Sequence, residues 1–226
     1  TYYTRWSHQV KTPLAALRLL IQEEPIDRTA CENELLKTEQ YVEMALQYQR
    51  LDSETTDFVF EETDLDEIIR TSVRKYARQF IAKKISLSYE PVERTVITDK
   101  KWLSFVIEQV ISNAVKYTKT GGIKIYLEDG DGTMSVPVQK ASHRKEDDGE
   151  NSGMKSVCLV IEDTGIGIRA EDLPRICEMG YTGCNGHEGQ HSSGIGLYLC
   201  SRILKKLGHT FSITSKEGVG TVVKIG

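Results

Sequence analysis

The strongest constraint on the fold is a break at Glu24-Pro25-Ile26-Asp27 between two long helical stretches. Proline disfavours helix in the residue before it, so the chain must turn there. From about Tyr3 to Glu24, the side chains Trp6, Val10, Leu14, Leu17 and Ile21 fall in one narrow stripe at about 100° per residue. From about Arg28 to Asp52, Leu35, Val42, Ala45 and Gln49 recur at helical spacing. Two helices joined by so short a turn make an αα-hairpin, which cannot bury both stripes by itself. Pairing with a second copy into a four-helix bundle is the economical solution.

The rest of the 226 residues changes character at Phe58. Phe58 to Glu62 alternates like a strand, and Asp64 with Glu67 makes a capping-box-like start to a helix reaching about Lys83. Strands are predicted over Ile85 to Tyr89, Thr95 to Thr98, Ile123 to Leu127 and Val157 to Glu162, and Asp99 is placed to cap a helix through Tyr117. A polar, charged insertion fills 129–155. A short helix is expected near Ala170 to Ile176, a longer one from about Ile195 to Leu207, and a closing hairpin over Thr210 to Ser215 and Thr221 to Ile225. This order implies an α+β layer, one sheet with helices on one face. The helical hairpin is assigned to 1–54 and the layered domain to 55–226.

Hydrophobic residues at 39% and charged residues at 27% describe an ordinary globular chain. A net charge of −4 argues against nucleic acid as a partner, because that would need a basic face. The five cysteines are odd in number with no C-x-x-C pair, which fits a reduced compartment, and Cys158 lies in an apolar run expected to be core. No stretch is long and apolar enough for a membrane span.

Chemistry enters first at His8, on the helix face opposite the apolar stripe, with Thr12 one turn later. Neutral imidazole carries a free lone pair and can accept a phosphoryl group, although an exposed histidine alone is usually idle. Four clusters lie further on. Asn113 and Lys116 share a helix face, where an amide oxygen can ligate Mg²⁺ and an ammonium can meet phosphate. Asp163-Thr164-Gly165-Ile166-Gly167 follows a strand, where a carboxylate can accept from an adenine amine and glycines admit the ring. Ser193-Gly194-Ile195-Gly196-Leu197 opens a helix, whose free N–H groups favour phosphate, but without the spacing of a P-loop. Gly218-Val219-Gly220-Thr221 joins two strands. Each cluster alone reads as well as a turn or a solvated helix face.

Taken in order, these clusters and His8 resemble the transmitter region of bacterial sensor histidine kinases, over nearly the whole chain. The second half looks like the Bergerat (GHKL) α/β sandwich. Glu178-Met179-Gly180-Tyr181-Thr182-Gly183 and His8-Gln9-Val10-Lys11-Thr12-Pro13 are similar to segments of the intramembrane-sensing, bacitracin-sensor-like kinases. The resemblance implies ATP-dependent autophosphorylation of His8 and transfer to a response-regulator aspartate. It makes Asn113 a Mg²⁺ ligand and places Lys116 and Tyr117 beside the nucleotide. Asp163 would bind the adenine amine in a pocket shaped by Gly165 and Gly167. The lid would run from about 180 to 193, carrying Thr182 and Ser193, closed by Gly194, Gly196 and Leu197. Gly218, Gly220 and Thr221 would form the last nucleotide-binding box. Thr12 matches the position that orients a hydrolytic water when such kinases dephosphorylate their partner. The resemblance further implies a homodimer, a parent protein anchored in the bacterial cell membrane by helices before Thr1, and a peptide-antibiotic ABC transporter as a further partner.

Two departures stand out. Gln9 follows His8 where most such kinases carry an acid, and an amide cannot act as a base. This keeps open a nucleotide-binding scaffold, or a member that works only as a phosphatase. Gln109 stands four residues before Asn113, where family ATPases that use water carry Glu, so transfer to a side chain is favoured over hydrolysis. Cys184, His187 and His191 lack a clear fourth ligand for zinc. His143 reads as solvated, and His209 has no evident role.

Overall fold

Asp27 closes the turn at Pro25 by accepting from the Ala30 amide at 3.0 Å, which starts the second helix. The computed structural model describes residues 2–53, 58–129, 157–183 and 193–226. Helix α1 spans Tyr2–Leu20 and α2 spans Arg28–Asp52. The first helix therefore stops at Leu20 rather than Glu24, because the chain needs the intervening residues to turn around Pro25. Trp6 Nε1 donates to the Tyr41 carbonyl at 2.8 Å and ties the two helices side by side.

The covered face of α2 is not the one that spacing picked out. Met44, Gln47 and Leu51 are buried, whereas Leu35 and Val42 are 48% and 39% exposed. The reason is tertiary. The Met44–Leu51 face packs on helix α5 (Gly196–Leu207), where Lys206 Nζ donates to the Leu51 carbonyl at 3.0 Å.

The layered part contains β1 (Glu61–Asp64), α3 (Leu65–Lys83), β2 (Ser86–Tyr89), β3 (Thr95–Thr98), α4 (Lys100–Tyr117), β4 (Gly122–Asp129) and β5 (Val157–Asp163). After α5 come β6 (Phe211–Lys216) and β7 (Gly220–Ile225). Five strands form a mixed sheet in the order β2-β4-β5-β7-β6, with β2 parallel to β4 and the other pairs antiparallel. Strands β1 and β3 pair separately, so the single sheet expected is in fact two.

Helix starts follow the capping chemistry. Asp64 accepts from the amides of Asp66 and Glu67, and Asp99 from those of Lys101 and Trp102. Caps of this kind are worth about 1 kcal/mol each. The core lies between the sheet and helices α3 to α5. Ile123 and Ile125 of β4, and Leu159 and Ile161 of β5, point inward at the two-residue period of a strand. Trp102, Val106 and Val110 of α4 meet them together with Leu199 and Ile203 of α5.

Other local expectations shift. The strand begins at Glu61 rather than Phe58, whose ring packs on Trp102 at 5.5 Å between centroids. The helix expected over Ala170 to Ile176 shrinks to a 3₁₀ turn at Leu173–Arg175, which contains Pro174 and its missing donor. Cys158 is half-buried, and among the described cysteines Cys200 is the one fully buried. His209 bridges Thr98 Oγ1 at 3.0 Å and the Gly226 carbonyl at 3.2 Å, and burial lowers its pKa. Beyond Asp129 the polar insertion, with His143, lies outside the described residues, as do Cys184, His187 and His191.

Candidate functional site

The D-x-G-x-G turn after β5 and the G-x-G-T turn before β7 lock into each other. Asp163 pairs with Thr221 across the β5–β7 ladder, and Gly220 crosses so close that a Cβ there would sit 1.9 Å from the Asp163 carbonyl oxygen. Gly167, at φ +69°, passes the Lys216 carbonyl with equally little room, at 2.1 Å from a Cβ. Only glycine fits either place. Gly165 lies against the Tyr117 carbonyl, and the Ile166 amide donates to that same oxygen at 3.2 Å. Motifs remote in sequence are thereby fixed around one space.

Asp163 closes one end of that space. Its Oδ1 accepts from the Gly165 amide at 2.8 Å, and burial raises its pKa despite that bond. Asn113 faces the same space from α4. Gln109 Nε2 donates to Asn113 Oδ1 at 3.4 Å and orients the amide. Gly196 makes room for Gln109, since a Cβ there would lie 2.6 Å from Nε2. The second glycine of the G-x-G thus serves a side chain on another helix.

Lys116 and Tyr117 follow at the end of α4, the ammonium 5.1 Å from the Tyr117 ring centroid. Burial, then the charges of Lys37 and Lys83, push the Lys116 pKa down to about 8. Lys83 reaches in from α3 and donates to the carbonyls of Val115 at 2.6 Å and Lys116 at 3.1 Å. It neutralises the negative end of α4.

The segment after β5 returns through Gly180, whose amide donates to the Gly194 carbonyl at 2.8 Å and pinches the base of the predicted lid. Tyr181 donates its hydroxyl to the buried Asp172, and Arg175 lies over its ring at 4.3 Å. Residues 184–192 of the predicted lid lie outside the described residues. Ser193 Oγ accepts from the Ile195 amide at 3.2 Å and touches Met44 Sδ of the hairpin at 3.8 Å.

Of the site residues predicted from sequence, all but Gly165, Gly218 and Gly220 line a single cavity of about 870 Å³. His8 and Thr12 form part of its hairpin wall. Asn113, Lys116, Tyr117, Asp163, Gly167 and Thr221 form much of the opposite wall, with Thr182, Ser193, Gly194, Gly196 and Leu197 beside them. His8 is exposed and on the predicted face, and Thr12 Oγ1 donates to the His8 carbonyl at 3.1 Å. Gly165 shapes the loop from behind.

Sequence reasoning missed the second half of the hairpin wall. Gln40 Nε2 donates to the Tyr76 hydroxyl at 2.9 Å and to Ser112 Oγ at 3.3 Å, next to Asn113. Burial pushes the Tyr76 hydroxyl up to about 12. Lys37 and Tyr41 line the cavity from α2, and burial raises the Tyr41 pKa. Nothing in the α2 sequence singles out these polar residues. Their three- and four-residue spacing shows that they share a face but not what that face meets.

The donor set fits a magnesium nucleotide: a half-buried carboxylate, glycines whose place a Cβ would fill, an oriented amide oxygen and the half-buried ammonium of Lys116. Comparison with known proteins gives the family. The profile of the family described as histidine kinase-, DNA gyrase B-, and HSP90-like ATPase matches residues 98–226. The chain is 35% identical to the sensor histidine kinase YxdK of Bacillus subtilis (strain 168), over 99% of its own length and 63% of that protein's. It thus spans less than two thirds of that relative. Its fold is similar to that of full-length ShkA in complex with AMPPNP, with a TM-score of 0.63 at 18% identity over 99% of this chain and 44% of that one. It is also similar to histidine kinase ThkA in complex with the response regulator protein TrrA, with a TM-score of 0.61 at 20% identity over 99% of this chain and 59% of that one. The profile covers more than half of the chain, and so the chain belongs to the histidine kinase-, DNA gyrase B- and HSP90-like ATPase family.

Proposed function

We propose that this chain is the kinase region of a two-component sensor, which transfers the terminal phosphoryl group of ATP to His8 and then to an aspartate of a response regulator. The observation that carries the reading is the shared cavity, which has His8 on one wall and the nucleotide-type residues on the other. Asp163 would accept from the adenine amine, while Lys116 would face the phosphates. Asn113 would hold Mg²⁺, which offsets phosphate charge when bound. An imidazole nitrogen of His8 forms the new bond to phosphorus, ADP leaves with the electrons of the broken bond, and the imidazole proton passes to solvent. Catalysis rests on positioning and on charge stabilisation.

Incubation with γ-labelled ATP and Mg²⁺ tests the reading. Acid-labile label is expected on the wild type and not on His8→Gln, and equal labelling of the two refutes it. A phosphatase-only role is favoured by one feature, the amide of Gln9 beside His8 on the cavity wall. Nucleotide binding without labelling, together with faster loss of phosphate from a regulator, would select that role. In both readings Thr12 is the residue that orients the hydrolytic water.

The hairpin would act as a homodimer. Leu14, Leu35, Val42 and Leu46 are each about 40–50% exposed, an apolar surface that a second copy would cover. Sedimentation at micromolar concentration is expected to give twice the monomer mass, and a monomer there contradicts it. A membrane anchor and a peptide-antibiotic transporter partner rest on the family resemblance, and no helix of the described residues is long and apolar enough to cross a membrane. Fractionation of cells expressing the whole protein tests the anchor, and co-purification with the transporter tests the partner.

A further inference from the structure

The hairpin contributes more to the cavity than His8. Three lysines from three elements converge there: Lys116 at the end of α4, Lys83 at the end of α3 and Lys37 in the middle of α2. Lys37 and Lys83 are close enough to Lys116 for their charges to act on it. Lys83 is committed to the carbonyls that end α4. Lys37 is tethered differently. Its Nζ donates to Glu34 at 2.5 Å, one turn back on α2, and its side chain is 52% exposed. Glu34 is 18% exposed, but the ammonium end of the pair stands in solvent, so Lys37 can turn to another anion at modest cost.

The carboxylates of the same cavity are Glu34, which pairs with Lys37, Asp172, which accepts from Tyr181, and Asp163. The local excess of positive charge therefore lies between Lys37 and Lys116, whose charges act on each other and favour an anion there. The proposed function puts the terminal phosphate of ATP at the hairpin wall, where His8 receives it. Lys37 belongs to that wall and not to the wall that would hold the nucleotide. A diphosphate held from the opposite side lacks the group that would reach α2.

We propose that Lys37 is a phosphate-binding residue supplied by the hairpin, which with Lys116 cradles the terminal phosphate of a nucleoside triphosphate and makes triphosphate, not diphosphate, draw the two parts together. The inference rests on the nucleotide-site reading above.

Titration calorimetry of the full chain with AMPPNP and with ADP, both with Mg²⁺, tests it. Lys37→Ala is expected to weaken AMPPNP binding roughly tenfold, the effect of losing a hydrogen bond to a charged group, and to leave ADP binding unchanged. Lys37→Arg is expected to retain most of the AMPPNP affinity, because the charge remains. Equal losses for both nucleotides, or no loss for either, overturn the role of Lys37 while leaving the nucleotide site intact. Failure of the wild type to bind either nucleotide overturns the site reading and this inference together.

Discussion

Gln40 of the hairpin donates to the hydroxyl of Tyr76, across 2.9 Å and between two parts of the chain that sequence reading keeps separate. The same amide reaches Ser112, the neighbour of Asn113, so one side chain registers the hairpin against the helix that presents the metal-type ligand. Tyr76→Phe removes the hydroxyl from a buried place and is expected to cost about 1 kcal/mol of stability in chemical denaturation. Gln40→Ala is expected to slow His8 labelling several-fold while nucleotide affinity stays the same. Unchanged labelling would show that the bridge does not position the hairpin.

The two glycines of the nucleotide-type loops are expected to fail in different ways. Gly220→Ala puts a Cβ 1.9 Å from the Asp163 carbonyl at φ +143°. It should lower stability by about 2 kcal/mol, seen as a melting temperature roughly 4 to 8 °C lower. Gly196→Ala instead displaces the end of Gln109, a flexible side chain that orients Asn113. Its melting temperature should change little while Mg²⁺-nucleotide affinity falls. Equal thermal losses in the two variants would contradict this division.

Lys116 should give nucleotide binding a pH dependence. Its pKa is pushed down to about 8, whereas an ordinary lysine stays protonated two units higher. Raising the pH through 8 removes a positive charge from the cavity, so triphosphate affinity should fall between about pH 7.5 and 9. Between about 8 and 10.5 the unfolded chain binds the extra proton, so the Lys116 contribution to stability rises with pH in that window. Lys116→Met should flatten the affinity profile, and a profile as steep as wild type would assign the titration elsewhere.

Thr12 spends its hydroxyl hydrogen on the His8 carbonyl at 3.1 Å, which leaves its oxygen lone pairs available to orient a water. Thr12→Ala should slow dephosphorylation of a regulator roughly tenfold or more and leave His8 labelling within about twofold, the usual scale for losing one positioned polar group. Thr12→Ser should restore most of the rate. Equal loss of both activities would make Thr12 a structural residue of α1.

The helical elements were legible because their signals are local. Asp64 and Asp99 cap helices where short-range hydrogen-bonding chemistry predicts. The nucleotide-type glycines were legible as motifs, because a positive φ or a tight approach leaves a residue type behind in the sequence. Local signals failed at Phe58, where a ring that alternates like a strand is recruited by Trp102 instead.

Sequence alone placed His8 on the face of an amphipathic helix away from its apolar stripe, whereas Asn113, Asp163, Gly167 and Thr221 were grouped as one kind of site only by resemblance to a family. Tertiary structure decided what those residues face. The burial of Met44 and Leu51 on α5, and the placing of Lys37 and Gln40 against α4, depend on contacts between distant segments. Helical spacing says which residues share a face, whereas the partner of that face is set by shape and burial across the whole chain. His8 meets a nucleotide-type cavity only because α2 docks there, and no short-range pattern in the chain encodes that docking.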